Sequence, residues 1–229
     1  MKVVAVIPAF NEAPRLAEVL AVARPHVDDV VVVDDGSRDA TSEVARSAGV
    51  RVLRHALNRG QGAALRTGTR AALELGADII VHLDADGQHD AASIVSVVTA
   101  PIRSGQADVV LGSRYLGIAP EGIPRVRRLL HVGIHQFNRW VLGIPASVTD
   151  PQAGCRAFTA RVGRELTFHQ DRMAHASEIL RLVTRSSTWR WQEVPIFVRY
   201  SAATLEKGQH TGDAFKVAWQ LLLGFFHRA

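Results

Sequence analysis

The chain has 229 residues, 47% of them hydrophobic and 21% charged, with 27 Lys and Arg against 22 Asp and Glu for a net charge of +5. That length and apolar content support one sizeable folded domain, and they exclude a disordered, collagen-like or disulfide-stapled chain, Cys155 being the single cysteine. No stretch approaches the roughly 20 apolar residues that span a bilayer, and the opening run Met1–Pro8 is too short for a signal peptide and reads as a first strand.

Five short runs rich in β-branched residues follow one another in the first half: Val3–Ile7, Val30–Val33, Val50–Leu53, Ile79–Leu83 and Val109–Leu111. Such runs fill strands that are buried on both faces. Between them apolar residues recur at helical spacing. Leu16, Val19, Leu20 and Ala23 form one face, Ala40–Ala48 and Ala63–Leu75 supply two more, and Ile94, Val95 and Val98 belong to a fourth. Strands alternating with helices predict an α/β fold, a mostly parallel central sheet with helices on both sides. Right-handed crossovers then bring the C-terminal ends of the strands to one edge.

Beyond residue 115 the pattern changes. A Gly- and Pro-rich loop is expected over Gly117–Pro124, then a helix over Arg125–Leu142 that carries Arg125, Arg127, Arg128 and Arg139. Thr159–Leu166 and His175–Thr184 read as helices, Trp189–Tyr200 as a strand, and Asp213–Arg228 as a last helix striped with Phe215, Trp219, Leu222 and Phe226. No internal repeat or linker divides the chain.

The informative polar residues stand at the strand ends. Pro8-Ala9-Phe10-Asn11-Glu12 follows the first strand and Asp34-Asp35-Gly36-Ser37 the second; Asn58-Arg59-Gly60-Gln61-Gly62 follows the third, and Asp84-Ala85-Asp86-Gly87-Gln88 the fourth. Ligands of open α/β sheets bind just beyond strand C-termini, so the four clusters are expected to converge on one crevice. Taken singly, Asp-Asp-Gly-Ser can be only a turn with a helix cap, and the Gly60/Gly62 loop only a tight turn into a helix. The loop has neither the dinucleotide glycine spacing nor the Gly-Lys-Ser/Thr of a phosphate loop. The pair Asp84 and Asp86 carries more. Two carboxylates one residue apart repel unless a cation lies between them, and oxygen ligands select a hard ion, Mg²⁺ or Mn²⁺, of the kind that bridges a diphosphate.

Together these clusters, with Gly112-Ser113-Arg114-Tyr115 and Thr149-Asp150 leading to Gly154-Cys155-Arg156-Ala157-Phe158, resemble the family 2 glycosyltransferases of the GT-A fold. Within them the chain is similar to the polyprenyl-phosphate sugar synthases, the group of dolichyl-phosphate mannose synthase, over about residues 3–200. The resemblance implies a single glycosyltransferase domain with a Rossmann-like sheet. Residues 1–115 would form its nucleotide-sugar half and 116–229 a helical and strand acceptor half. It implies a UDP- or GDP-hexose donor held by Pro8, Phe10, Glu12, Asp35, Gly60, Gly62, Asp84 and Gln88, with Mg²⁺ or Mn²⁺ on Asp84 and Asp86. Asp86, Asp150 and Arg114 are the implied catalytic residues, and Arg114, Arg125, Arg128 and Arg156 the implied cations for an acceptor phosphate. One departure stands out: Ala153-Gly154-Cys155-Arg156 replaces the usual Ser-Gly-Phe-Arg, which bears on the sugar more than on the reaction.

The chemistry then divides on the acceptor. A lipid phosphate is already anionic and needs cationic positioning, which Arg114 with Arg125, Arg127 or Arg128 supplies. A sugar hydroxyl needs a base, and Asp150 is the candidate. The basic helix near Arg125 and the apolar end of the last helix suit a peripheral protein at the cytoplasmic face of a membrane, although both stripes can equally pack on the sheet. Relatives often end in transmembrane helices, so a separate small membrane protein is an expected partner. Nucleic acid is not, for lack of a basic-aromatic array. His131 and His135 read as surface or packing residues, Trp189 and Trp191 as core, Cys155 as a buried filler. Glu178 can reach the crevice or merely sit at its helix start. Arg199, Tyr200 and Lys207 fall where relatives place an acceptor loop.

Overall fold

The computed structural model describes residues 1–87, 91–116, 136, 139–140, 143–151 and 154–196. Seven strands form one sheet: β1 (Val3–Ala9), β2 (Asp29–Asp34), β3 (Arg51–Arg54), β4 (Ile79–His82), β5 (Val109–Ser113), β6 (Arg156–Thr159) and β7 (Trp191–Pro195). Their order is β3-β2-β1-β4-β6-β5-β7. Every neighbouring pair is parallel except the two that involve β6, which runs against β4 on one side and β5 on the other. The expected mostly parallel sheet is therefore present.

The helices are α1 (Ala13–Ala23), α2 (Thr41–Ser47), α3 (Gln61–Glu74), α4 (Ala91–Arg103), α5 (Ala160–Glu165) and α6 (His175–Arg185). Alternate residues of one strand enter opposite layers, because successive side chains of a strand point to opposite faces. Val3, Ala5 and Ile7 pack with Leu16 and Leu20 of α1 and Val95 and Val98 of α4. Val4 and Val6 pack with Ala64 and Leu65 of α3, Val162 of α5 and Ile179 of α6. All seven residues of β1 are buried, as the unbroken apolar run requires. Gly68 of α3 is where that helix approaches the sheet most closely; a Cβ there would overlap Val6.

Two expectations are corrected. Thr159–Leu166 is not wholly helical: Thr159 ends β6, and its side chain caps α5 by accepting from the Val162 N–H at 3.3 Å. The strand Arg156–Thr159 has no counterpart in the sequence reading. Four residues in a strand flanked on both sides are too few for a periodic signal, and the chain turns into a helix immediately after. The strand beginning at Trp189 starts instead at Trp191. Gln136, Arg139 and Trp140 are helical where a helix was expected over 125–142. The remainder of that helix, the 117–124 loop, the last helix, and Gln88, Arg125, Arg127, Arg128, His131, His135, Arg199, Tyr200 and Lys207 lie outside the described residues.

β6 matters for the site. Six parallel strands end at one edge, and the reversed strand presents its entry to the same edge: Arg156 pairs with His82 of β4 and Leu111 of β5. Gly154 and Cys155, at the entry to β6, thus lie between the ends of β4 and β5, with Gly154 beside Asp84.

Candidate active site

The loops after β1 and β2 lock together. Asn11, with a positive φ of 54°, donates its N–H to Ser37 Oγ at 2.9 Å and accepts from the Arg38 N–H at 2.9 Å through its side-chain oxygen. The Glu12 N–H donates to Thr41 Oγ1 at 3.0 Å. Asp34, wholly buried, accepts from the Ser37 N–H and the Ser42 hydroxyl. Burial raises its pKa, but those hydrogen bonds outweigh it and hold the carboxyl below the usual range.

Asp35 is turned the other way. Its Oδ1 accepts from His55 Nδ1 at 2.6 Å and the Arg59 N–H at 3.0 Å, and its Oδ2 from the Gly60 N–H at 2.6 Å. His55 Nε2 meets Thr67 Oγ1 of α3 at 3.0 Å. A carboxylate accepts, so His55 donates to it from Nδ1, while Thr67 holds the other edge of the ring.

The glycines after β3 admit another backbone. Gly60 has φ 106°, and a Cβ on Gly60 or Gly62 would overlap the carbonyls of Asp171 and Gln170 respectively. The N–H groups of Gly62 and Ala63 donate to the Asp171 carbonyl at 2.7 and 3.2 Å. The free donors at the start of α3 are thus satisfied by protein backbone. Glu178 holds that backbone in turn, accepting from the His169 and Gln170 N–H groups at 2.9 and 2.7 Å.

After β4, half-buried Asp84 and Asp86 flank buried Ala85. Gln61 Nε2 donates to Asp84 Oδ1 at 2.9 Å. A Cβ at position 154 would overlap the Asp84 carboxylate, so Gly154 lets the β6 entry segment lie directly against it. Among the described residues no three His, Cys, Asp or Glu side chains gather as a metal cage. A carboxylate pair of this kind fits Mg²⁺ or Mn²⁺, which take one or two protein carboxylates and complete their shells with substrate phosphate and water.

Pro8, Ala9, Phe10, Glu12, Asp35, Asn58, Gly60, Gln61, Asp84, Ala85, Asp86 and Met173 line one cleft of about 390 Å³ at the strand-end edge. The four motif clusters do converge. Gly62 is not part of the lining, nor are Arg114, Asp150 and Arg156, which occupy the adjoining ends of β5 and β6. Asn58, Gln61 and Met173 were missed by the sequence reading: Asn58 and Gln61 are the two side-chain amides of a quoted motif, and Gln61 is the one that donates to Asp84. Met173, from the turn before α6, gives no local signal.

Arg114 and Asp150 meet each other. Arg114 Nε donates to Asp150 Oδ2 at 2.6 Å, Nη2 to Oδ1 at 2.8 Å, and the Arg114 N–H to Oδ2 at 3.1 Å. Glu193 of β7 stands behind the pair and accepts from Thr149 N–H, Thr149 Oγ1 and Asp150 N–H at 2.8, 2.8 and 3.2 Å. Glu193 was also missed, although a carboxylate between Trp191 and Val194 is a readable anomaly in a strand.

Arg156 is 4% exposed. Burial disfavours its charge, and the carboxylates of Asp84 and Asp150 oppose that effect. Burial also pushes the Cys155 thiol up, which suits a filler. Trp189 and Trp191 pack against the second core layer as expected.

His175, also buried, donates Nδ1–H to the Arg172 carbonyl at 2.9 Å. Burial, then the Arg156 charge, lower its pKa to about 4. Between about pH 6.5 and about 4 the unfolded chain takes up a proton that the folded chain refuses, so stability falls as pH falls through that window and levels off below it. The full loss is of order 3 kcal/mol. Urea midpoints from pH 7 to 4 are expected to drop in the wild type and to drop less in His175→Asn; equal slopes would refute the assignment.

The family model for glycosyl transferase family 2 matches residues 4–163. The chain belongs to glycosyl transferase family 2. Among its relatives is the UDP-N-acetylglucosamine–dolichyl-phosphate N-acetylglucosaminyltransferase of Methanococcus voltae, 30% identical over 239 residues, covering 95% of this chain and 94% of that protein. The undecaprenyl-phosphate mannosyltransferase of Micrococcus luteus is 35% identical over 168 residues, covering 70% of this chain and 67% of that one. Glucosyl-3-phosphoglycerate synthase of Mycobacterium tuberculosis, solved with Mn²⁺ and UDP, superposes with a TM-score of 0.75 at 20% identity, over 99% of this chain and 79% of its own. This glycosyltransferase therefore has the GT-A fold, and its relatives include polyprenyl-phosphate sugar transferases. No helix among the described residues is long and apolar enough to cross a membrane.

Proposed function

We propose that the enzyme moves a hexose, mannose or glucose, from a nucleotide diphosphate sugar to a polyprenyl phosphate at a membrane surface, with inversion at the anomeric carbon. The observation that carries this reading is the Arg114–Asp150 pair. Both oxygens of Asp150 accept from one guanidinium, a geometry that commits the carboxylate as a counter-ion. A site whose cation is held in place and whose candidate base is engaged by it suits a nucleophile that arrives ionised. The named activities of the Methanococcus and Micrococcus relatives support the same acceptor class.

In this reading Asp84 and Asp86 hold Mg²⁺ or Mn²⁺ against the donor diphosphate, Gln61 orients Asp84, and Phe10, Glu12 and Asp35 take the nucleoside. The ion supplies Lewis-acid stabilisation of the leaving nucleoside diphosphate. A lipid-phosphate oxygen forms the bond to the anomeric carbon as the bond to the diphosphate oxygen breaks. Arg114 positions the incoming phosphate with the buried Arg156, and Arg125 and Arg128 are the further cations that the sequence offers.

The test is transfer of labelled sugar from UDP- and GDP-hexoses to a short-chain polyprenyl phosphate in detergent with Mg²⁺ or Mn²⁺. Asp150→Asn is expected to retain transfer to within about tenfold, since no proton has to be removed. A general base contributes about 10² to 10⁴, so a loss of that size, or donor hydrolysis without lipid product, would favour a hydroxyl acceptor.

A further inference from the structure

The cleft has two chemically different ends. At one, Asp84 and Asp86 stand at the end of β4. At the other, beyond β1, the exposed ring of Phe10 lies at the mouth and Asp35 faces the cleft while only 2% exposed. The phosphates of a nucleotide belong with a cation at the carboxylate pair. An aromatic face beside the buried carboxylate of Asp35 suits a planar base that has N–H to offer, and Glu12, the other carboxylate at this end, lies 3.6 Å from the Arg15 guanidinium.

The hydrogen-bonding capacity of Asp35 then limits which base. A carboxylate has about four acceptor positions, two on each oxygen. Three protein N–H groups occupy them: His55 Nδ1 and the Arg59 N–H fill Oδ1, and the Gly60 N–H takes one position of Oδ2. One position remains, on Oδ2. Guanine presents two adjacent donors, N1–H and N2–H, that bind a carboxylate through both oxygens at once. Uracil presents a single N3–H. With Oδ1 full, one of the guanine donors would find no acceptor on Asp35, and a recognition site that cannot match a donor penalises the base that carries it.

We infer that this site selects a uracil-type base over guanine, and that His55 is the specificity-determining residue because it occupies the acceptor position guanine would need. The inference rests on the donor reading above and narrows it to uridine diphosphate sugars. His55 acts through Asp35 and is itself held by Thr67 at the other edge of its ring. Local sequence does not reveal it, since His55 is 20 residues from Asp35.

Calorimetric titration with UDP and with GDP, each with the same Mn²⁺ concentration, tests it on the full chain. UDP is expected to bind tenfold or more tighter than GDP, the cost of one unmatched hydrogen bond to a charged group. His55→Ala opens the second position on Oδ1 and is expected to bring the two affinities within about threefold. His55→Asn keeps a side-chain N–H near the position of Nδ1 and is expected to restore the uridine preference, separating recognition from any general loosening of the loop. Equal or tighter GDP binding by the wild type overturns the inference while leaving the donor reading standing, as does an unchanged ratio in His55→Ala. Binding of neither nucleotide overturns both.

Discussion

Asp86→Ala is expected to lower sugar transfer by about 10³-fold or more, equivalent to roughly 4 kcal/mol of lost transition-state stabilisation. The urea midpoint should change little, because a half-buried carboxylate beside a like charge contributes little to folding. Asp84→Asn should show the same loss for a cleaner reason. The amide keeps an oxygen for the Gln61 donor, which now stands 2.9 Å from Asp84 Oδ1, while it removes the charge and one acceptor oxygen. If Asp84 and Asp86 hold a divalent ion, calorimetry should lose the Mn²⁺ dependence of nucleotide binding in both variants. Transfer that persists without added metal, or survives Asp84→Asn, would sink the proposed role of the pair.

Arg114→Met is expected to destabilise the protein by about 3–5 kcal/mol. Asp150 is 1% exposed at its side chain and Arg114 17%, so the bidentate pair is largely out of water. Removing the guanidinium takes two charge-assisted hydrogen bonds from a carboxylate that cannot reach solvent, whereas Asp150→Asn removes the counter-charge of a cation with a path outward and should cost less. Arg114→Lys should recover only part of the loss, since an ammonium cannot reproduce two parallel N–H bonds. Denaturant unfolding of the three variants measures the order. Equal stabilities for Arg114→Met and wild type would mean that the pair is solvated and structurally idle. Under the phosphate-acceptor reading, Arg114→Met also loses transfer out of proportion to its stability when assayed where it remains folded.

Local sequence patterns made much of this enzyme legible. Val3–Ile7 and Ile79–Val81 read as strands buried on both faces, because β-branched runs without polar interruption have no solvated face, and all eight residues are buried. Leu16, Val19, Leu20 and Ala23 recur at helical spacing and all four are buried. The motifs at the ends of β1 to β4 converge because parallel strands linked by right-handed crossovers end on the same edge. Phe10, Glu12, Asp35, Gly60, Asp84 and Asp86 all line the cleft that this rule predicts.

What the sequence by itself determined, then, was the α/β architecture, the strand-end edge and the convergence of the motif clusters on one cleft there. Each follows from short-range periodicity plus one rule of handedness. Only the tertiary structure decided where the reversed strand β6 inserts, and with it that Gly154 lies on Asp84 and that Arg156 is buried between β4 and β5. It also decided that Arg114 spends its guanidinium on Asp150, 36 residues away, and that His55 occupies the Asp35 carboxylate. Those pairings turn on packing between segments whose local propensities are indifferent to one another. A carboxylate in sequence is an acceptor with about four open positions, and only the fold says which of them are already taken.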